Sequence, residues 1–315
     1  MFAIRCLRLS RGQPANDQPA NERQANERPE QEKQYGKLAA MDTGMNTGME
    51  THRTPHGEIR YWVSRTAGKD RPWLVFLPGM LTDHRLFGAQ LTHFAGKANT
   101  FVWDAPAHGM SRPYELSAIS VDRIARELIA ILSTEGITRP VLVGQSFGGV
   151  VAQRVMQCEP ALASGFIGIG TMPLTREYWN PLLIAGLKHV GPLLHLRTWD
   201  KILDHAPRET SHTAKAQGLT RTMLKEYTKS EYVALADVTF KAVARGVGKQ
   251  KPWQLPCPTA LVVGEYDRTG GIGEMGKRWA ADEGLALHVI PEAAHNTNAD
   301  NPAAVNAIID QFIQR

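Results

Sequence analysis

VLVGQSFGGVVAQR, residues 141–154, runs an apolar stretch straight into a serine bracketed by glycines and then into a helical pattern. Short continuous apolar runs ending at a turn read as fully buried strands. Within the stretch, Gly144-Gln145-Ser146-Phe147-Gly148 fits G-x-S-x-G. That match alone is a weak signal, because a chain of this length holds one by chance about one time in ten. Its context is what gives it weight. A strand before and a helix after are what a nucleophile elbow needs, with the serine held in a strained backbone conformation at the strand's C-terminal end. Gly144 and Gly148 omit side chains that would collide with the neighbouring helix and strand. The helix start also aims unpaired N–H groups and its positive dipole end at the hydroxyl.

A serine hydroxyl is a weak nucleophile: it needs a base, and the base needs an orienting partner. The order expected for this elbow is serine, acid, histidine. After the apolar run TALVVG comes EYDRTGG, which puts Asp267 in a loop at a strand's C-terminal end. After ALHVI comes PEAAHNTN, which puts His295 in the loop following the final strand. Glu265 competes as the acid, two residues nearer the strand, and His108 in DAPAHGMS is the nearest rival base.

Strands and helices alternate on both sides of this centre. GEIRYWVSR, PWLVFLPG, TFVWD, VLVG, GFIGIG, TALVVG and ALHVI read as strands. Ser120 reads as the N-cap of a helix with an apolar stripe at Val121, Ile124, Leu128 and Ile131, and another helix is expected from about Phe147 to Gln157. The chain closes with Asn301 as a cap, Pro302 at the first helical position and a stripe of Val305, Ile308, Ile309 and Phe312. This alternation predicts an α/β fold, a mostly parallel sheet covered by helices on both faces.

Four segments together resemble the α/β-hydrolase fold family over about residues 54–315: FLPGM, DAPAHGMS, GQSFGG, and GEYD with EAAHNTN. The resemblance implies Ser146 as nucleophile, His295 as general base and Asp267 as its orienting acid. It further implies an oxyanion hole from the backbone N–H groups of Phe147 and Met80. Two departures stand out. Ala107 replaces the glycine usual in the family's D-x-P-G-x-G-x-S turn, so its backbone is expected to be less unusual than the family norm. Leu77-Pro78-Gly79 stands where many relatives have His-Gly, which bears on the second oxyanion donor. Asp104 in the same turn is read as structural.

The remaining organisation divides into three parts: a low-complexity N-terminal extension (1–53), a core (54–171 and 251–315) and a helical cap (172–250). GQPANDQPANERQANERPEQEKQ, a degenerate five-residue repeat, cannot bury enough surface to offset its ordering entropy, and is expected to be disordered. Met41, Met45 and Met49 lie just before the first periodic segment, so the first forty residues are candidates for exclusion from the natural chain. The cap segment is rich in Leu, Trp and Tyr, as a wall that selects acyl or alcohol groups would be. Its histidines His189, His195, His205 and His212 lack metal-ligand spacing.

Composition narrows the class further. The 315 residues are 43 % hydrophobic and 21 % charged, with net charge +5. Residues 172–250 hold twelve Lys/Arg against seven Asp/Glu and so account for the whole excess. No run of five or six like charges occurs there, and no nucleic-acid motif is present. No apolar run is long enough to span a membrane. MFAIRCLRLSR lacks the apolar centre and cleavage site of a secretory signal. Cys6, Cys158 and Cys257 are read as reduced thiols of a cytoplasmic protein. The expectation is a cofactor-free serine hydrolase acting on a small ester. Thioester, lactone or carbon–carbon hydrolysis, acyl transfer, or a triad-retaining ligand sensor are the alternatives. Oligomeric state is not read from the sequence.

Overall fold

The computed structural model describes residues 48–248 and 253–314, so the repeat segment and Cys6 lie outside the described residues. The first element is earlier than expected. β1 (Met49–Thr54) pairs antiparallel with β2 (Gly57–Ser64), so the structured part begins inside the segment assigned to the extension. METHRT carries no period-two hydrophobic signal because the strand is an exposed edge, held by backbone pairing instead of burial.

The chain then builds β3 (Trp73–Leu77), α1 (Gly88–Phe94), β4 (Asn99–Trp103), α2 (Val121–Thr134), β5 (Val141–Gln145), α3 (Phe147–Cys158) and β6 (Gly165–Ile169). An inserted run of helices follows: α4 (Pro181–Leu187), α5 (Val190–His195), α6 (Trp199–Thr210), α7 (Ala214–Leu224) and α8 (Lys229–Gly248). The core resumes with β7 (Thr259–Gly264), α9 (Ile272–Glu283), β8 (Ala286–Ile290), α10 (Thr297–Asp300) and α11 (Pro302–Ile313). The strands form one eight-stranded sheet in the order β1-β2-β4-β3-β5-β6-β7-β8. It is parallel from β4 to β8, and β2 runs antiparallel to β4.

Alternation along each strand sends side chains to two separate cores. Val75, Leu77, Phe101, Trp103, Leu142 and Phe166 pack under α2 and α3, with Ile124, Leu128 and Ile131 of the α2 stripe at or near zero exposure. Leu74, Phe76, Val102, Val141, Val143 and Ile167 pack under α1 and α11, against Leu91, Phe94, Val305 and Ile309. Each such side chain contributes about 1.5–3 kcal/mol by leaving water. The inserted helices extend the first core through Ile184, Ile202, Leu224 and Tyr232.

Strand order reverses at β3, whose neighbours are β4 on one side and β5 on the other. Open α/β sheets offer a crevice at such a reversal, beyond the strands' C-terminal ends. Pro78-Gly79 leaves β3 there, and Ser146 leaves β5 beside it. The backbones approach so closely that a Cβ at Gly148 would collide with the Leu77 carbonyl oxygen, and one at Gly144 would lie 2.6 Å from the Gly149 Cα. Neither obstacle is a flexible side chain, so the backbone itself would have to move. Gly148→Ala is therefore expected to destabilise the fold by about 3 kcal/mol or more; a urea midpoint equal to that of wild type would refute the close approach.

Candidate active site

Ser146 sits between β5 and α3 at φ +50° and ψ −116°, a conformation that L side chains rarely adopt. Such strain costs about 1–3 kcal/mol and needs surroundings that fix it. The surroundings are specific. The Ser146 N–H donates to the Ile169 carbonyl at 2.8 Å, and its own carbonyl accepts from Thr171 Oγ1 at 2.7 Å and from the Gly149 N–H at 3.0 Å. The serine is thus pinned from the end of β6 and from the first turn of α3.

The loops after β7 and β8 meet at this serine. His295 Nε2 lies 2.9 Å from Ser146 Oγ, and His295 Nδ1 lies 3.0 Å from Asp267 Oδ2. The other Asp267 oxygen accepts from the Thr269 N–H at 3.0 Å, which fixes the carboxylate plane. The Asp267 side chain is fully buried and that of His295 nearly so, while Ser146 keeps partial exposure. With Nδ1 donating to the carboxylate, Nε2 presents its lone pair to the hydroxyl, the tautomer a general base requires. Glu265, the competing acid, instead accepts from the Glu292 N–H at 3.2 Å.

The two oxyanion candidates both belong to segments next to Ser146. Phe147 is the first residue of α3, so its N–H has no partner within the helix. A Cβ at Gly79 would come within 3.2 Å of the Ser146 Cβ, so the backbone leading into Met80 runs close to the serine.

Three contributors carry no sequence motif of their own. Gly170, at φ +50°, lets the acid and base loops close: a Cβ there would lie 2.9 Å from the His295 carbonyl oxygen and 3.2 Å from its Nδ1. Thr171 holds the strained serine, as above. Gln145, the x before the serine, donates through Nε2 to the His295 carbonyl at 3.1 Å and to Asn296 Oδ1 at 3.3 Å.

The turn after β4 overturns one expectation. Ala107 adopts φ +67°, as left-handed as a glycine would be, although the alanine suggested an ordinary backbone. Hydrogen bonds impose it: the Ala107 N–H donates to the Ser111 carbonyl at 3.2 Å, and the His108 N–H to the Ala105 carbonyl at 2.8 Å. Asp104 is fully buried and shapes the same turn, accepting from the Met110 N–H at 2.7 Å and from the His84 N–H and ring Nδ1 at 2.8 and 2.9 Å. Burial disfavours a charged His84 ring, yet the adjacent Asp104 and Asp83 carboxylates hold its pKa above the ordinary value. Asp83, His84 and Asp104 bring ligand atoms close enough for a cation, but these atoms are engaged with one another and with Arg85, which lies 2.5 Å from Asp83. His189, His195, His205 and His212 join no such group among the described residues.

His108 is not the base. Its ring is fully buried and stacked 6.3 Å from that of Phe147, with Nδ1 2.9 Å from the Pro106 carbonyl. Burial pushes its pKa down to about 4, so the ring stays neutral. Of the described cysteines, Cys257 has its thiol pushed up to about 11 by burial, which makes it a poor nucleophile. No helix among the described residues is long and apolar enough to cross a membrane.

A family model described as "Alpha/beta hydrolase family" matches residues 74–308. The chain belongs to the alpha/beta hydrolase family. A 2-succinyl-6-hydroxy-2,4-cyclohexadiene-1-carboxylate synthase of Serratia proteamaculans is 27 % identical over 257 residues, covering 78 % of this chain and 94 % of that protein. Among solved structures, a hydrolase from Pseudomonas aeruginosa PA01 superposes with a TM-score of 0.69 at 18 % identity, covering 86 % of this chain and 99 % of the other. A thermophilic esterase from Thermogutta terrifontis gives 0.66 at 20 % identity, covering 86 % and 98 %. These two structural likenesses establish the fold.

The buried neutral His108 has a thermodynamic consequence. In the unfolded chain the ring binds a proton near pH 6.5, and in the fold only near pH 4. Between those values the unfolded state holds more protons, so stability falls on acidification by up to about 1.4 kcal/mol per pH unit. Urea unfolding at pH 7 and pH 4.5 should show wild type losing roughly 2 kcal/mol more than His108→Gln over that interval. Equal losses would mean the ring is protonated in the fold.

Proposed function

We propose that this protein is a serine hydrolase which cleaves a small carboxylic ester through an acyl-enzyme, with Ser146 as nucleophile, His295 as general base and acid, and Asp267 as the group that orients the imidazole. One observation carries the reading: an imidazole nitrogen 2.9 Å from a serine hydroxyl that the backbone holds at positive φ. Strain at a serine, with a base already in reach, serves no packing purpose, whereas it places a nucleophile at the head of a helix.

In the proposed cycle, His295 Nε2 takes the proton of Ser146 Oγ as the oxygen attacks the ester carbonyl. Asp267 stabilises the imidazolium through Nδ1–H without itself accepting the proton. The Phe147 and Met80 N–H groups receive the oxyanion, and each such preorganised donor is worth about 3–4 kcal/mol in the transition state. His295 then hands its proton to the leaving alkoxide. A water, deprotonated by the same nitrogen, releases the acid and restores the serine. No metal or cofactor takes part. The inserted helices between β6 and β7 act as a cap whose apolar side chains select the substrate. A small molecule is thus the expected partner.

The Serratia relative carries the name of a synthase, and this favours a second reading, in which the Ser146–His295 pair removes a proton from a carboxylate-bearing substrate and no acyl-enzyme forms. Intact-mass measurement after an acid quench separates the two. p-Nitrophenyl acetate should add one acetyl group to Ser146 under the first reading and nothing under the second. Steady-state hydrolysis of p-nitrophenyl esters should fall at least about 1,000-fold in Ser146→Ala, and nearly as far in His295→Ala, because triad members act as a unit. A His295→Ala variant that keeps most of the activity would assign the base elsewhere.

A further inference from the structure

His295 stands in an irregular segment between β8 and α10, so nothing in the regular structure of the sheet fixes where its ring points. What fixes the segment is a set of hydrogen bonds, and many of these lead away from the core into the inserted helices. The residue after the histidine is tied directly. The Asn296 N–H donates to the Thr210 carbonyl at 2.7 Å, and Asn296 Nδ2 donates to Ser211 Oγ and to Thr220 Oγ1, each at 3.1 Å. The residue before it is tied through a carboxylate. The Ala294 N–H donates to Asp300 Oδ2 at 2.9 Å. The same Asp300 accepts from the His212 N–H at 2.9 Å and from the Thr213 N–H and Oγ1 at 2.8 and 2.9 Å.

The chain neighbours of His295 are therefore tied to one short stretch, 210–213, the joint between α6 and α7, Asn296 directly and Ala294 through Asp300. Asn296, Ser211 and Thr220 are almost completely buried. A buried amide that loses its partners is left with unsatisfied donors, at about 1–3 kcal/mol each, so the joint docks all or none. On the core side, Gln145 closes the frame by holding the His295 carbonyl and Asn296 Oδ1 from the residue next to the nucleophile. Undocking the joint would still leave the His295 segment attached to the core by the Gln145 amide, by the triad bonds and by the Tyr266 N–H on the Ala293 carbonyl. Glu265 on the Glu292 N–H would also hold it, as would Asn298, which donates to the Leu86 carbonyl and accepts from Gln90. Undocking would nevertheless remove every bond that ties Asn296 to the insertion.

We propose that Asn296 and Asp300 are positioning residues that couple the inserted helices to the base, so that His295 lies within reach of Ser146 only while the α6–α7 joint is docked. This rests on the serine-nucleophile reading above and adds a role for the insertion beyond walling the pocket: its docking completes the catalytic geometry. Displacing a reacting group by about 1 Å costs on the order of 100-fold in rate, so a coupling of this kind is read directly in nucleophile reactivity.

The test uses the full chain and two probes, an alkyl fluorophosphonate that labels Ser146 and p-nitrophenyl acetate. The variants are Asn296→Ala, the double variant Ser211→Ala with Thr220→Val on the insertion side, and the conservative pair Ser211→Thr with Thr220→Ser. Reactivity is expressed per folded molecule, from the circular-dichroism melt of each variant. The first two variants should label about 10- to 100-fold more slowly and lose kcat by a similar factor, with KM within about twofold. The conservative pair should label at the wild-type rate. Ser211 and Thr220 make no bond to the triad among those described, so a purely structural role predicts fewer folded molecules with unchanged reactivity in each. That result would overturn the coupling. A wild-type chain that does not label would instead overturn the serine-nucleophile reading itself.

Discussion

Ser146 at φ +50° is the constraint on which the rest of the site depends. A β-strand that ended in an ordinary turn would lay the hydroxyl against the sheet. The positive φ lifts it to the head of α3, where the dipole is positive and the first N–H groups point outward. The cost of about 1–3 kcal/mol is offset by bonds on both sides of the residue, to Ile169, to Thr171 and to Gly149. Gly148 then lets α3 start directly against the Leu77 carbonyl. Strand order, glycine placement and strain are thus one feature seen at three scales.

From that point the placement of Asp267 and His295, the proposed acid and base, follows by proximity. β6, β7 and β8 are successive neighbours in the sheet, so the loops leaving their C-terminal ends crowd above Ser146. Crowding of this kind demands small residues where the loops cross. Gly170 passes under the His295–Asp267 pair, and a Cβ at Gly264 would lie 2.5 Å from the Ala293 carbonyl oxygen. The inserted helices are latched on a second side as well, where Arg85 pairs with Glu226 at 2.8 Å and the Gly109 N–H donates to the Tyr227 hydroxyl at 3.2 Å. The insertion therefore touches the loops after β3, β4 and β8 alike.

Much of this was legible in the sequence, because the residues proposed for the chemistry lie at abrupt changes of pattern. VLVG ends in GQS, TALVVG ends in EYD, and ALHVI ends in PEAAH; in each case a buried apolar run stops at a polar loop. Ser146, Asp267 and His295 could be placed by that rule and by their order in the chain. Other features had no such signature. β1 is a polar edge strand whose partner is backbone, so no hydrophobic period announces it. Ala107 takes a left-handed conformation because the hydrogen bonds of its turn outweigh the small penalty of a single methyl, a balance that residue type does not reveal. Gln145, Thr171, Asn296 and Asp300 act through long-range bonds to residues 25 to 151 positions away or to the inserted joint, and pairings of that range are not encoded in local pattern.

The central claim is that Ser146 Oγ is the group that attacks a carbonyl, with Phe147 and Met80 receiving the charge. A crystal structure of the chain after reaction with an alkyl fluorophosphonate tests it most directly. The account predicts continuous density from Ser146 Oγ to phosphorus, with the phosphoryl oxygen within about 3 Å of both backbone nitrogens and His295 still beside the serine. An unmodified Ser146, or a phosphoryl oxygen turned away from those two N–H groups, would contradict it.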